Sequence, residues 1–194
     1  MQLKRLFSSV YAKGTEQYLK TQKRYEVART VLYFGISISL FIAGYLQTKS
    51  RVNLLTVVAV LGCLPASKSA VNAIMFLRYN GCSTQAAEEI KNHSGSLKCL
   101  FDCVFTSYKI NFCISHLAVR GNTICGFTED VNFKESEFYK HIQEILKLDG
   151  HKEVTVKVFN NLSKYTERLS QMNALEADEE KSQAIIETLK SVML

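Results

Sequence analysis

Hydrophobic and polar residues alternate along this chain in three different ways. Near the start, Leu3, Leu6, Phe7, Val10 and Tyr11 recur at i, i+3, i+4, i+7 and i+8, with Lys4 and Arg5 off that face. That spacing predicts an amphipathic helix lying on a membrane surface. Next come two runs with no charge at all: nineteen residues from Thr30 to Thr48 and sixteen from Val52 to Ser67. Beyond Tyr79 the apolar residues fall instead at the periods of single helices and strands.

The first uncharged run would span roughly 28 Å as a helix, close to the ~30 Å hydrocarbon layer of a bilayer. Arg29 bounds it on one side, Lys49 and Arg51 on the other, with Tyr33 and Tyr45 near its ends. A soluble core helix of that length would carry a polar stripe. The second run continues past Lys68 through Ala70–Leu77, which predicts one helix over about 53–77 containing Pro65. Lys68 is expected to snorkel to the headgroups, and Pro65 to kink the helix just before it. Five residues, 49–53, join the two runs, so they form an antiparallel hairpin. Gly35, Ser37, Ser39, Ala43 and Gly44 on the first helix, and Ala59, Gly62 and Ala66 on the second, permit close packing.

The later periodicity predicts helix, three strands, helix, strand, and two helices. Ser83 caps a helix that Gly95 stops; strands follow over 100–107, 111–119 and 123–128, the last two joined by a turn at Arg120-Gly121-Asn122. Phe138, Ile142, Ile145 and Leu146 mark a helix over 134–148. Val154, Val156 and Val158 then alternate with Thr155 and Lys157 in a fourth strand. Leu162, Tyr165, Leu169 and Met172 stripe the next helix, and Asp178 opens the last, whose inner face carries Ile185, Ile186, Leu189 and Val192. The fold class is therefore α/β: a transmembrane hairpin followed by an α-β-β-β-α-β-α-α domain with a mixed four-stranded sheet. The divisions fall at residues 1–28, a basic arm, 29–78, the hairpin, and 79–194, the cytosolic domain.

Charge changes the picture only when it is partitioned. The chain carries 24 basic and 18 acidic side chains, a net +6. Residues 1–29 hold seven basic and two acidic, 30–78 four basic and no acidic, and 79–194 thirteen basic and sixteen acidic. The excess thus lies with the membrane segments, and the acidic domain argues against nucleic acid as a partner. Lys4, Arg5, Lys20, Lys23, Arg24 and Arg29 are the membrane-surface candidates, and by the positive-inside rule both termini face the cytoplasm.

Candidate chemistry is sparse. Six cysteines, at 63, 82, 99, 103, 113 and 125, include no C-x-x-C pair. On one strand Cys99 and Cys103 would be ~13 Å apart, so no metal site is expected. If Arg120 and Gly121 form the turn, His116 falls opposite Cys125, a pairing with nucleophile–base chemistry but no orienting acid. No phosphate-binding loop or hydrolase motif occurs, and neither a cofactor nor an enzymatic activity is expected.

The order of elements resembles the core of the PD-(D/E)XK nuclease-like fold over about 80 residues. That family needs an acid on its second core strand and an acid-x-lysine pair on its third. Here those strands read NFCISHLAV and TICGFT, and Glu153 and Lys157 lie on another strand. The resemblance therefore implies the fold without its nuclease site. The expectation is a non-enzymatic membrane protein that tethers an interaction domain to the inner leaflet as a homo-oligomer. Its partners are the bilayer and other copies of itself, and no protein partner is identified. The alternatives are an oligomeric pore, with Lys68, Ser37, Ser39 and Thr56 facing its axis, and a membrane-anchored enzyme of nuclease-like fold.

Overall fold

A computed structural model describes residues 13–108, 110–151, 153–176 and 178–194. They divide into two compact units: a helical hairpin over 19–79, and a domain over 80–194 that also includes residues 13–18. The expected surface helix over residues 1–12, with Lys4 and Arg5, lies outside the described residues.

In the hairpin, helix α1 spans Tyr18–Thr48 and α2 spans Leu54–Leu77. Helix α1 thus begins twelve residues before the uncharged run, because nothing in LKTQKRYEVAR breaks a helix. Asn53 caps α2, its side chain accepting the Thr56 N–H at 2.8 Å. The helix runs on through Pro65.

Three contacts fix how the two helices meet. The hydroxyls of Thr30 and Ser69 lie 3.0 Å apart. A Cβ placed on Gly62 would lie 2.7 Å from Ser37 Oγ, and one on Gly44 would lie 2.8 Å from Leu55 Cβ. Thr30, Ser37 and Gly44 therefore meet Ser69, Gly62 and Leu55 once every seven residues. That is the heptad register of a left-handed helix pair, and only small residues allow it at this spacing. Of the small residues singled out in α1, Ser37 and Gly44 are buried in this seam. Gly35, Ser39 and Ala43 point away from it, and Gly35 has nothing within 4 Å of where its Cβ would be.

Within the domain, α3 (Thr84–Ser94) leads into strands β1 (Lys98–Thr106), β2 (Asn111–Arg120) and β3 (Thr123–Phe127). Helix α4 (Glu135–Leu148) crosses to β4 (Thr155–Phe159), and α5 (Leu162–Asn173) and α6 (Glu179–Val192) complete the domain. The sheet order is β1-β2-β3-β4, with the first two pairings antiparallel and β3–β4 parallel. Parallel pairing of β3 with β4 requires the crossover that α4 supplies.

Two hydrophobic layers sandwich the sheet. On one face Phe138, Ile142 and Leu146 of α4 and Ile185, Ile186 and Leu189 of α6 pack on Phe105, Ile114, Leu117 and Ile124. On the other, Ala86 and Ile90 of α3 and Tyr165, Leu169 and Met172 of α5 cover Ala118, Cys125 and Phe127. Both ends of the described chain protect the free edge of β1, where Gly14 O accepts the Phe101 N–H and the Leu194 N–H donates to Val104 O. Gly14 suits that position because its φ is +78° and a Cβ would collide with Leu100.

The expected β2–β3 register is corrected. His116 pairs with Phe127, and Cys125 with Ala118. The two-residue loop is Gly121-Asn122, not Arg120-Gly121, because Arg120 still pairs with Thr123. Its positive φ, +55°, falls on Gly121, the loop position a type II′ turn gives to glycine.

Candidate functional site

Tyr165 decides where α5 sits. Its ring stacks on Phe127 at 5.5 Å between centroids and touches His116 at 5.7 Å and Phe159 at 5.9 Å. His116 in turn meets Phe101 at 4.4 Å. A row of aromatic rings thus crosses all four strands beneath one helix. Inside it, His116 Nδ1 and the Tyr165 hydroxyl are 2.6 Å apart, and that hydroxyl lies 3.4 Å from Cys125 O. One arrangement uses every proton: His116 Nδ1–H donates to Tyr165, and Tyr165 donates to the Cys125 carbonyl. It leaves Nε2 as a bare lone pair, and Nε2 has no partner. A second proton there would have no acceptor, and burial holds the His116 pKa down at about 3.

The stripe Tyr165, Leu169 and Met172 is wholly buried. One helical step around α5 from it, Lys164, Glu167, Arg168 and Gln171 form a wall. Helix α5 packs on β2, β3 and, through Phe159, β4, while Lys157 on β4 stays exposed and Phe159 is half-buried. The result is an open cleft of about 410 Å³ floored by Lys157 and Phe159. The Lys157 ammonium sits 5.2 Å from the centre of the Phe159 ring. Arg168 Nη1 donates to Gln171 Oε1 at 3.1 Å, and Gln171 Nε2 to Glu167 Oε1 at 3.5 Å. Cys125 pairs with Lys157 across β3–β4. Burial pushes its thiol pKa up, and a hydrogen bond with Arg168, followed by the charges of Arg168 and Lys157, opposes that push.

A second polar group lies where the chain enters α3. Asp102 is 1% exposed and has a φ of +54°. It faces Ser115 between the Phe101–His116 and Cys103–Ile114 pairs. At this point both strands change which face their odd-numbered residues occupy: Leu100, Ile114 and Phe112 share a core layer with Cys103, Leu117 and Val119. Asp102 Oδ1 accepts the Cys82 N–H at 2.7 Å. Glu129 Oε2 accepts the Ser83 N–H at 3.0 Å and the Ser115 hydroxyl at 3.3 Å. Both carboxylates thereby hold the segment leading into α3. Burial, followed by the charges of Glu129, Asp102 and Glu16, pushes the Cys82 thiol up to about 12, far from a reactive thiolate.

The residues singled out from sequence disperse. Ser37 is in the hairpin seam, Ser39 donates outward to Gly35 O at 2.7 Å, and Thr56 is bound to its cap Asn53. Lys68 is exposed and, next to Ser69, stands level with Thr30 at the edge of the uncharged run of α1. Those four do not share a face. Of the surface basics, Lys20 and Arg24 are exposed, Lys23 is half-buried, and Arg29 pairs with the buried Glu26 at 3.1 Å. Cys99 and Cys103 pack in opposite layers of the sheet. Among the described residues no group of three His, Cys, Asp or Glu side chains could hold a metal ion.

The β4–α5 cleft was missed in sequence because Lys157 reads as an ordinary outward strand residue. The available signal was local: Lys157, Lys164 and Arg168 fall within twelve residues of an otherwise acidic domain, against Glu167 alone. The chain matches no family model, no curated protein and no solved structure.

Proposed function

We propose that this chain is an integral membrane protein without enzymatic activity, whose hairpin tethers the α/β domain to the inner leaflet and whose domain acts by binding. One observation carries the reading. In the most apolar eighteen-residue windows of α1 and α2, only 11% and 17% of residues are buried, whereas the domain closes two cores of its own. Exposed Leu32, Ile36, Phe41, Val57, Leu61 and Leu64 need an apolar surrounding that water does not give. The level of Lys68 supports a snorkelling side chain at the membrane boundary. The basic residues of the arm support both termini on the cytoplasmic side.

The outward stripe Gly35, Ser39 and Ala43, each four residues from the next, supports self-association of hairpins through close helix approach. A nuclease-like activity has no acid on β2 or β3 to use.

Alkaline carbonate extraction of membranes from cells making the full chain tests the anchor: retention in the pellet supports it, release overturns it. In the same membranes, a tag at either terminus is expected to resist protease until the cytoplasmic side is opened. Reconstituted protein is expected to leave liposomes ion-tight. Flux that disappears on Lys68→Leu would replace the tether with a pore.

A further inference from the structure

We propose that the cleft between β4 and α5 binds a phosphate-bearing small ligand, its phosphate held by Lys157, Lys164 and Arg168. This rests on the reading of the domain as a binding module and gives that module a ligand class. Three cations converge from two separate elements onto one concavity. None of the three has a carboxylate within ion-pair distance among the described residues, although five other ion pairs are formed there. Glu167, the one acid in the wall, leaves the cleft a net charge of +2, which matches a phosphate monoester dianion.

Two of the three donors have partners before a ligand arrives. Arg168 is tied to Gln171, which is tied to Glu167, and the Lys157 ammonium sits over the Phe159 ring. Tyr165, the immediate neighbour of Lys164, is locked into the aromatic row. Such fixing of side chains lowers the ordering cost of binding. Guanidinium and ammonium groups at one cavity supply forked and point donors to phosphate oxygens. Outside the cleft the domain is acidic, with fifteen acidic against ten basic side chains over the rest of residues 79–194, and a long polyanion would meet repulsion on leaving it.

The test uses the full chain in phosphatidylcholine nanodiscs, titrated with inorganic phosphate and with glycerol 3-phosphate, and followed by calorimetry. Both are expected to bind, and Arg168→Gln and Lys164→Gln are each expected to weaken binding by about tenfold. Lys181→Gln, which removes a lysine paired with Asp178 on α6, is expected to leave it unchanged. Circular dichroism identifies any variant that fails to fold, and the other cleft variant then decides. Nanodiscs containing phosphatidic acid separate the sources. Competition by that lipid against glycerol 3-phosphate assigns the site to a lipid headgroup, and no competition assigns it to a soluble phosphate ester. Absence of phosphate binding, binding by both cleft variants as tight as that of the unmutated chain, or preference for a single-stranded oligonucleotide overturns the proposal. Carbonate extraction reads only the anchor, so loss of the tether and loss of the site are told apart.

Discussion

His116 Nδ1 and the Tyr165 hydroxyl meet at 2.6 Å at the buried centre of a row of rings, and the far nitrogen of the same imidazole has no partner. The pair fixes α5 on the sheet and makes the domain sensitive to acid. Below pH 6.5 the unfolded chain takes up a proton that the folded form refuses until about pH 3. Stability from this group is therefore complete above 6.5 and lost as pH falls, at up to about 1.4 kcal/mol per pH unit. Urea unfolding of the detergent-solubilised chain between pH 7 and pH 5 is expected to show that slope. His116→Phe is expected to flatten it, since Tyr165 keeps Cys125 O as acceptor. An unchanged slope would refute the assignment.

Ser37 and Gly62 set the middle of the hairpin seam, and the Ser37 Cβ lies 3.7 Å from where a Gly62 Cβ would be. Disulfides need Cβ atoms about 3.5–4.5 Å apart. In a Cys63→Ser background, Ser37→Cys with Gly62→Cys is expected to oxidise within one chain. Ser39→Cys with Gly62→Cys is expected not to, because Ser39 faces outward. Mass spectrometry under non-reducing conditions distinguishes the two.

Asp102 combines burial, a left-handed backbone and a hydrogen bond to the Cys82 N–H. Asn keeps an oxygen acceptor and tolerates that backbone, so Asp102→Asn is expected to cost less than about 1 kcal/mol. Asp102→Val loses the acceptor and places a β-branched residue at positive φ, for an expected loss of about 2–4 kcal/mol. Equal denaturation midpoints for the two variants would contradict this account.

Leu169 is fully buried where α5 meets the sheet. Leu169→Ala is expected to destabilise the domain by about 2–5 kcal/mol through the cavity it leaves. Because the same helix carries Lys164 and Arg168, hydrogen exchange is expected to quicken along α5 before it does along α4 or α6.

The sequence by itself determined the elements, because their signals are local. Nineteen uncharged residues can span a bilayer whatever surrounds them. Ser83, Asn161 and Asp178 cap helices through the N–H groups of their own first turns. Val154, Val156 and Val158 alternate as a strand must, and Tyr165, Leu169 and Met172 share one helix face whichever partner they find. Tertiary structure decided how these pieces register. Both Ser37 and Ser39 are small residues in one helix, and only the heptad contact with α2 turns one inward and leaves the other out. A one-step difference in the loop moved the partner of His116 from Cys125 to Phe127. The change of face at Asp102 and Ser115 depends on two strands yielding at the same point, which no single strand's pattern contains. Lys157, Lys164 and Arg168 meet because Tyr165 seats α5 on the aromatic row and leaves Lys157 of β4 uncovered. Periodicity is a property of neighbours in the chain, whereas a cleft depends on where a helix stops covering a sheet.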